Sequence, residues 1–478
     1  MRQLLFIARK EIKVALREKL VVSLGIVTLL LLGVALYAGY VSYQQQKEII
    51  TETQAEKRKE WLNQGDKHPH IAAHYGTFIF KPKTVLSLFD FGLDAYTGTS
   101  VYLEAHYQHG FMFRPAQDHT SMIRFGELSA ALVLQVLAPL LIIFLAFGAF
   151  TRERESGTLK LLMSQGISFR LLTWGKIVAY SIMLAIVLLP IVVGIFILSF
   201  SGIRQEVIPD IAFRAVLLVL IYGVYLFLFI SFSVWISLRS ATGRNALLTL
   251  LTGWMFFAVL MPKTVTNFSE SLYSLPSMRE FKARIQEDKV NGLDGKTPRS
   301  VRRARLEKEY LEKYQVDSVE QLPFNFEGVS MQAGEEHGNK VYDHHLHKLR
   351  EIFHQQNRLR SIASLFNPFL AVQHLSMALS GTDMYTFIHF EKAVEHYRRE
   401  LVRKMNGDMA ENSRYGEFYG YKAQRDLWQE IDDFAYQTPT AAELLQLYHL
   451  EILSLLMWTA LVFVLLNYSN RKMKPLHG

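Results

Sequence analysis

The stretch TRERESGTLKLLMSQGISFRLLTWGK, residues 151–176, separates two long apolar runs of the 478-residue chain. It is cationic overall, and Glu153 and Glu155 precede a Ser-Gly-Thr-Leu sequence. A helix needs about 20 mostly apolar residues to cross the roughly 30 Å hydrocarbon core of a bilayer, and both neighbouring runs reach that length. The sequence therefore predicts a membrane protein in which this polar stretch lies at the membrane surface between two spans.

The composition supports this class. Half of the residues are hydrophobic, 20% are charged, and the mean hydropathy is +0.12, with the apolar residues clustered. These values are typical of a membrane protein with sizeable polar parts. The absence of cysteine excludes disulfides and thiolate metal sites. The net charge of +8 is explained by loops that face anionic lipid, so we expect no nucleic-acid partner.

Six apolar segments are long enough to span a bilayer, which predicts a mainly α fold built on a six-helix transmembrane bundle. The run that follows the basic N-terminus exceeds the ~7–15 residues of a signal-peptide core, so we expect it to be a retained helix. The predicted spans are residues 20–42, 127–150, 175–200, 211–237, 245–262 and 449–468.

Lysine and arginine are concentrated in four polar segments, which predicts the orientation of the bundle. With six spans, all four segments fall on one side of the membrane, and positively charged loops mark the cytoplasmic side. The N- and C-termini are therefore expected in the cytoplasm. The four segments are residues 1–19, 151–174, 238–244 and 469–478.

Two large segments are then extracytoplasmic, and we expect each to form a domain. Residues 43–126 contain short apolar runs broken by Gly, Pro and Asp, which predicts a mixed domain of strands and loops. Residues 263–445 have helical periodicity, for example in the spacing of Tyr342, Leu346, Leu349 and Phe353. A second helix is predicted over 387–406, with Phe390, Val394 and Tyr397 on one side.

Residues 1–19 predict an amphipathic helix in the interfacial plane. Its apolar stripe consists of Leu5, Ala8, Ile12 and Ala15–Leu16. The alternative is an ordinary basic flank that only orients the protein.

The stretch 151–165 predicts a short helix across the membrane surface. Its apolar side would rest on the spans, and its acidic and small residues would face the cytosol. Exposed carboxylates on such a helix can dock into a basic groove of a partner. The alternative is a solvated loop.

The pattern E-x-E-S-G-T-L-K-x-L-x-S, followed by S-x-R and by Gly175-Lys176, resembles the signature of ABC-2 type transporter permeases. The resemblance implies that this segment is the coupling helix that docks on a separate ATP-binding-cassette ATPase. Many family members have proline where this chain has Gly166-Ile167. The implied coupling residues are Glu153, Glu155, Gly157, Thr158, Leu159, Leu162, Ser164 and Arg170.

The resemblance also implies the partners and the energy source. The chain has no G-x-x-x-x-G-K-[ST] loop, so we expect it not to be an enzyme by itself and to hold no cofactor. ATP and Mg²⁺ would be bound by the partner subunit. The implied complex contains two ATPases and two permeases, which are identical or paralogous, and acts as an exporter.

The segments HPHIAAHYGTFIFKP and NPFLAVQHLSMALSGTD resemble a bacterial subfamily with two large extracytoplasmic insertions, to which gliding-motility and copper-maturation permeases are related more distantly. This implies a multi-pass protein of the bacterial inner (cytoplasmic) membrane. Membrane lipid and a periplasmic partner would be its further contacts.

Two other classes of function stay open. One is an ATP-driven mechanotransmission or assembly component that acts on extracytoplasmic partners without passage of cargo. The other is an ATP-independent metal sensor, because histidines cluster in the outer segments. The candidate ligands are His347, Glu351 and His354 at helical spacing, and His68, His70 and His74, which Glu104, His106 and His109 follow. The alternative for each set is a solvated polar face.

Overall fold

The computed structural model describes residues 2–74, 76–108, 110, 128–200, 208–417 and 420–472. The chain is mainly helical, with 77% helix and 3% strand. Within these residues, six helices are long and apolar enough to cross a membrane. The predicted fold class is confirmed at this level, and the six helices indicate a multi-pass membrane protein.

We number these helices as spans one to six in chain order. Span two contains a π-helical turn at Val133–Leu137, and span five contains another at Phe256–Leu260. Spans one and five run well beyond their predicted ends at residues 42 and 262, because polar sequence continues the helix outside the apolar stretch. The six spans are Lys19–Leu62, Ala130–Glu155, Phe169–Phe200, Ile208–Arg239, Gly243–Leu272 and His449–Lys472.

Span four is the centre of the bundle and contacts spans two, three, five and six. Its side chains Ala215, Ser231 and Ser237 are completely buried. Small side chains let neighbouring helix backbones approach closely, which is how helices associate where no hydrophobic driving force acts between them.

The two polar segments form one unit, which we call the head (residues 43–110 and 263–445). Its two antiparallel strands are Thr77–Phe80 and Ser100–Leu103, with Phe78 opposite Tyr102. Two short 3₁₀ helices are Val85–Leu88 and Val319–Gln321. The other helices after residue 43 in these segments are Pro69–His74, Asp94–Thr97, Met278–Asn291, Arg299–Tyr314, Phe326–Ser364, Pro368–Ser380, Met384–Asn412, Arg425–Gln429 and Ala441–Leu447.

The prediction of two separate outer domains is wrong, because the two segments share their hydrophobic cores. Ile79 and Val101 of the strands pack in one cluster with Phe390 of the second segment. Ala72 and Trp428 belong to another shared cluster. A two-stranded sheet is too small to be stable alone, so it is covered by the long helices of the second segment. The predicted helices at 342–353 and 387–406 are confirmed.

Helix Pro368–Ser380 packs between spans four and six and is buried along most of its length. It was expected in the extracytoplasmic domain, but its side chains Phe369, Val372 and Leu375 belong to the same hydrophobic cluster as the spans. Asn367 at its start donates from Nδ2 to the carbonyl of Phe257, at 2.8 Å. That carbonyl lies in the π-helical turn of span five, so this helix fixes the head to the bundle.

A buried hydrogen-bond chain continues this junction. The Ser376 hydroxyl donates to Asp90 of the head at 2.5 Å and accepts from Tyr222 of span four at 2.9 Å. Gln135 of span two donates to Tyr222 at 2.8 Å, and Tyr225 donates to the Gln135 carbonyl. Polar side chains inside the bundle therefore join helices to one another. Burial raises the pKa of Asp90 to about 6.

The N-terminal helix covers Arg2–Ala15 and lies on span three. The predicted helix is confirmed. The predicted stripe is correct in part: Ala8 and Ala15 are buried, but Leu5 and Leu16 are more than half exposed. A Cβ on Gly175 of span three would lie 2.6 Å from a methyl carbon of Ile7. The glycine therefore permits the close approach of the two helices.

The topology predicts opposite accessibility for two exposed serines, because three spans separate Ser164 from Ser300. The natural chain has no cysteine. In intact spheroplasts of a bacterial expression host, a membrane-impermeant maleimide should label one variant at once and the other only after lysis. The predicted cytoplasmic position of residues 151–174 makes Ser300→Cys the variant that is labelled at once. Labelling of both variants in intact spheroplasts would contradict the six-span arrangement.

Candidate functional site

The segment after span two forms two short helical turns separated by a glycine. Thr151–Glu155 ends span two, and Thr158–Ser164 follows as a separate helix. Gly157 between them has a φ of +75°, a left-handed conformation that costs other residues about 1–2 kcal/mol. Leu159 is 2% exposed and anchors the second helix to the bundle. A separate helix is thus present only in the second half of the predicted stretch, and the first half belongs to span two.

Arg154 and Glu155 bind the turn between spans four and five. The Arg154 guanidinium donates to the carbonyls of Ser237, Leu238 and Ser240, at the C-terminal end of span four. The Glu155 carboxylate accepts from the backbone N–H of Gly243, at 2.9 Å, where span five begins. A cation at a helix C-terminus and an anion at an N-terminus both satisfy unpaired backbone groups and oppose the helix dipole.

Glu153 belongs to a group of four charges, three of them buried, that we call the charge cluster: the buried Glu11, Glu153 and Lys176 and the exposed Lys10. Lys10 Nζ lies 2.7 Å from Glu153 and 3.2 Å from Glu11. Lys176 Nζ, on span three, lies 3.2 Å from Glu153 and 3.0 Å from Glu11. The cluster contains two charges of each sign, so each buried charge has an opposite neighbour, which offsets the cost of removal from water.

The titration of the N-terminal residues reflects this pairing. Burial raises the pKa of Glu11, but the ammonium groups of Lys176 and Lys10 outweigh it, and the net pKa is lowered. Burial lowers the pKa of Lys10, but the hydrogen bond to Glu153 and the charge of Glu11 outweigh it, and the net pKa is raised. Both groups therefore remain charged through the neutral range.

The expectation that both acidic residues face outward is wrong for Glu153, which is 8% exposed; Glu155 is exposed. Sequence reasoning missed the pairing with Lys10 and Glu11, because no spacing in the chain links them to residue 153. Next to Glu153, Arg152 pairs with Glu18 at the start of span one. Of the remaining predicted coupling residues, Leu162 is half-buried, and the exposed ones are Gly157, Thr158, Ser164 and Arg170.

A second group lies in the head, where His70, His74 and His106 each place a ring nitrogen within 4.8 Å of the others. The Nε2 atoms of His70 and His74 are 3.2 Å apart. His70 Nδ1 contacts Asn406 Oδ1 at 3.3 Å, and His106 Nδ1 contacts the buried carboxylate of Glu335. The i, i+4 spacing on helix Pro69–His74 was readable from the sequence, whereas Glu335 and Asn406 were not.

Burial is the main influence on the pKa of His70 and of its neighbours His68 and His74. It lowers the pKa of His70 to about 4, with a further contribution from the neighbouring histidines. It also lowers the pKa of His74 and of His68. His70 is therefore neutral at physiological pH, which is the form that can bind a metal.

The other predicted ligands are not part of this group. The His68 ring centre is 6.5 Å from that of His70, and His68 lies outside the triad. His347, Glu351 and His354 are exposed on helix Phe326–Ser364. In the described part of the chain, the histidine triad is the one group of three candidate ligands that meets at such short distances. His109 lies outside the described residues.

Comparison with known families finds one match. Residues 278–437 match the model of a domain of unknown function, DUF3526. The match covers about a third of the chain, all of it after span five, and includes Glu335 and Asn406 but none of the three histidines. No curated protein matches the chain. Since the function of this domain is unknown, the match gives no information on chemistry. Any assignment of function therefore depends on the charge cluster and the histidine triad.

The charge cluster predicts that Lys176→Met strongly destabilises the fold. The Lys176 side chain is 1% exposed, and its loss leaves one buried carboxylate in excess, which should reduce the free energy of unfolding by about 3 kcal/mol. Thermal unfolding in detergent micelles measures the effect. The exposed Lys160→Met is the matched control and should change little.

A double variant tests whether the loss of charge balance is what destabilises Lys176→Met. Adding Glu11→Gln to Lys176→Met restores neutrality and should recover part of the lost stability. Equal stability of Lys176→Met and the parent, or a double variant that is less stable than Lys176→Met, would show that the cluster does not act as a balanced unit.

Proposed function

We propose that this chain is the permease subunit of an ATP-binding-cassette transporter of the ABC-2 type, acting as an exporter in the bacterial inner membrane. The observation that carries the proposal is the exposed helix Thr158–Ser164, which follows a segment that contacts five other elements of the bundle. The resemblance of residues 153–176 to the permease signature assigns that helix to contact with an ATPase. In this proposal ATP and Mg²⁺ belong to the separate subunit, and a second permease, identical or paralogous, completes the membrane part.

The contacts around residues 152–155 support a coupling role. Arg152 and Glu153 bind the N-terminal helix and the starts of spans one and three, and Arg154 and Glu155 bind the turn between spans four and five. A force on helix Thr158–Ser164 would therefore reach four spans and the N-terminal helix through short polar contacts. Shifting a two-state bundle from 1:99 to 99:1 requires about 5.5 kcal/mol of differential affinity, which ATP-dependent docking would supply.

The docking surface predicts the effect of Leu161→Glu. Leu161 is 59% exposed on helix Thr158–Ser164, so a charge there should leave the fold intact and disrupt an apolar contact with the ATPase. The tagged chain is purified gently from its native host, and co-purifying proteins and ATP hydrolysis are measured. An ATPase with a phosphate-binding loop should co-purify with the parent chain and should not co-purify with Leu161→Glu.

Leu293→Glu is the matched control, because Leu293 is 45% exposed in the head. It should retain the ATPase. Absence of any ATPase from the parent sample, or its retention by Leu161→Glu, would overturn the proposed docking surface.

Span one favours a second candidate function, the mechanotransmission component. Its 44 residues form one unbroken helix, about 66 Å long at 1.5 Å per residue. Its far end is fixed in the head: Arg58 donates to the Ile431 carbonyl at 2.6 Å, and Trp61 packs edge-on against Trp428. Movement of the bundle would therefore move the head without any passage of cargo.

A helix break in span one would distinguish mechanotransmission from transport of cargo. Lys47 is exposed beyond the apolar part of the span, and Lys47→Pro removes a helix hydrogen bond and kinks the helix, whereas Lys47→Ala does not. Spin labels at Ser300→Cys and Arg244→Cys report the distance between the head and the opposite end of the bundle. In the complex with its ATPase, ATP should change this distance for Lys47→Ala and not for Lys47→Pro, while hydrolysis continues in both. An unchanged distance in the parent would reject mechanotransmission.

A further inference from the structure

We propose that His70, His74 and His106 form a zinc-binding site in the head. This inference concerns a part of the molecule that is remote from the coupling segment, and it stands whether or not the chain is a permease. The site is built from two parts of the first polar segment, helix Pro69–His74 and the turn after strand Ser100–Leu103. It is closed by residues of the second polar segment.

The separation of the ring nitrogens fits a tetrahedral zinc ion. Zinc–nitrogen bonds of about 2.0–2.1 Å at a tetrahedral angle place two ligand nitrogens about 3.3 Å apart. The Nε2 atoms of His70 and His74 are 3.2 Å apart, and all three residues offer a nitrogen within 4.8 Å of the others. On binding, the metal would replace the hydrogen bond between His70 and His74, and it would bring the ring nitrogen of His106 closer to the other two.

The hydrogen bonds around the triad have the form seen in histidine–metal sites. Metal-binding histidines almost always use their other ring nitrogen to contact a carboxylate, a carbonyl or another oxygen, which fixes the orientation of the ring. His106 does so with the carboxylate of Glu335, and His70 does so with the side-chain oxygen of Asn406. In both residues a metal would then bind at Nε2, which in His70 contacts His74 Nε2 when no metal is bound. Glu335 is itself held near Arg398 of helix Met384–Asn412, at 3.8 Å.

The backbone of His106 provides independent support. His106 has a φ of +70°, and among the described residues only one other non-glycine residue, Gln315, has a positive φ. Such strained conformations persist where the surrounding structure holds them, and they are concentrated at functional sites. Two contacts hold this one in place: Glu335 accepts from the His106 N–H, and Lys289 donates to its carbonyl at 2.9 Å. The strain fixes the direction of the imidazole toward His70 and His74.

A cleft of about 690 Å³ gives access to the site, and the residues that line it indicate what would occupy the remaining coordination position. Its walls include His70, His106 and Glu335. Four cationic residues, Lys289, Arg299, Arg302 and Arg303, also line it. Three histidines leave the fourth position of a tetrahedral zinc ion open. Water or a small anion attracted by these cations would complete the coordination.

The test is metal binding by the full chain in detergent micelles. After dialysis against a chelator, the chain is titrated with zinc in competition with a chromophoric chelator, and bound zinc is measured by elemental analysis. We expect one zinc per chain. His74→Ala should weaken binding at least 100-fold, and because His74 is exposed, this variant should fold. Glu335→Gln should weaken binding by about 10–100-fold, through the orientation of His106 alone.

His347→Ala is the matched control, an exposed histidine of the same head, and it should bind zinc as the parent does. Cobalt(II) in place of zinc should give the intense visible absorption of a tetrahedral site in the parent and in His347→Ala, but not in His74→Ala. Zinc below one equivalent in the parent, or equal affinity in His74→Ala and the parent, would overturn the proposal, since binding would then be adventitious.

Discussion

The arrangement of the bundle depends on the pairing of Glu153 with Lys10 and Lys176. The buried charges of Glu11, Glu153 and Lys176 are stable only as a group, because removal of one partner leaves another without compensation in a low-dielectric environment. The pairing fixes the N-terminal helix against span three and places the end of span two beside both. The adjacent Arg154 and Glu155 then reach the ends of spans four and five. One run of four residues thus determines how most of the membrane helices meet.

The opposite end of the bundle is tied to the head by apolar burial and by a polar chain. Helix Pro368–Ser380 descends between spans four and six, and its Ser376 joins Asp90 of the head to Tyr222 of span four. Gly39 of span one lies so close to the Leu88 carbonyl that an added Cβ would sit 2.3 Å from its oxygen. With span one running unbroken into the head, these contacts make the head an extension of the bundle.

The two functional groups differ in chemistry because their surroundings differ. The charge cluster contains equal numbers of cations and anions, and three of its four side chains are buried, so it is suited to fix helices in place. In the histidine triad, burial lowers the pKa of His70 and of His74, and the triad opens into a cleft lined by cations. Neutral imidazole is a ligand, and a ligand set needs a route for the ion to arrive. The first group is therefore suited to hold helices together, and the second has the chemistry of a ligand set.

Sequence periodicity alone determined the class of the fold, the six apolar helices and the long helices of the head, because the length and spacing of apolar residues are local properties. It also predicted a surface helix within residues 151–165 and grouped His70 with His74 as candidate ligands. The burial of Glu153, the glycine contact at residue 175 and the entry of helix Pro368–Ser380 into the bundle were decided by tertiary structure. Tertiary structure also decided that the two predicted outer domains form one head, and that His106 and Glu335 lie next to each other. Each of these depends on contacts between residues far apart in the chain, and the packing that brings them together leaves no pattern in either segment by itself.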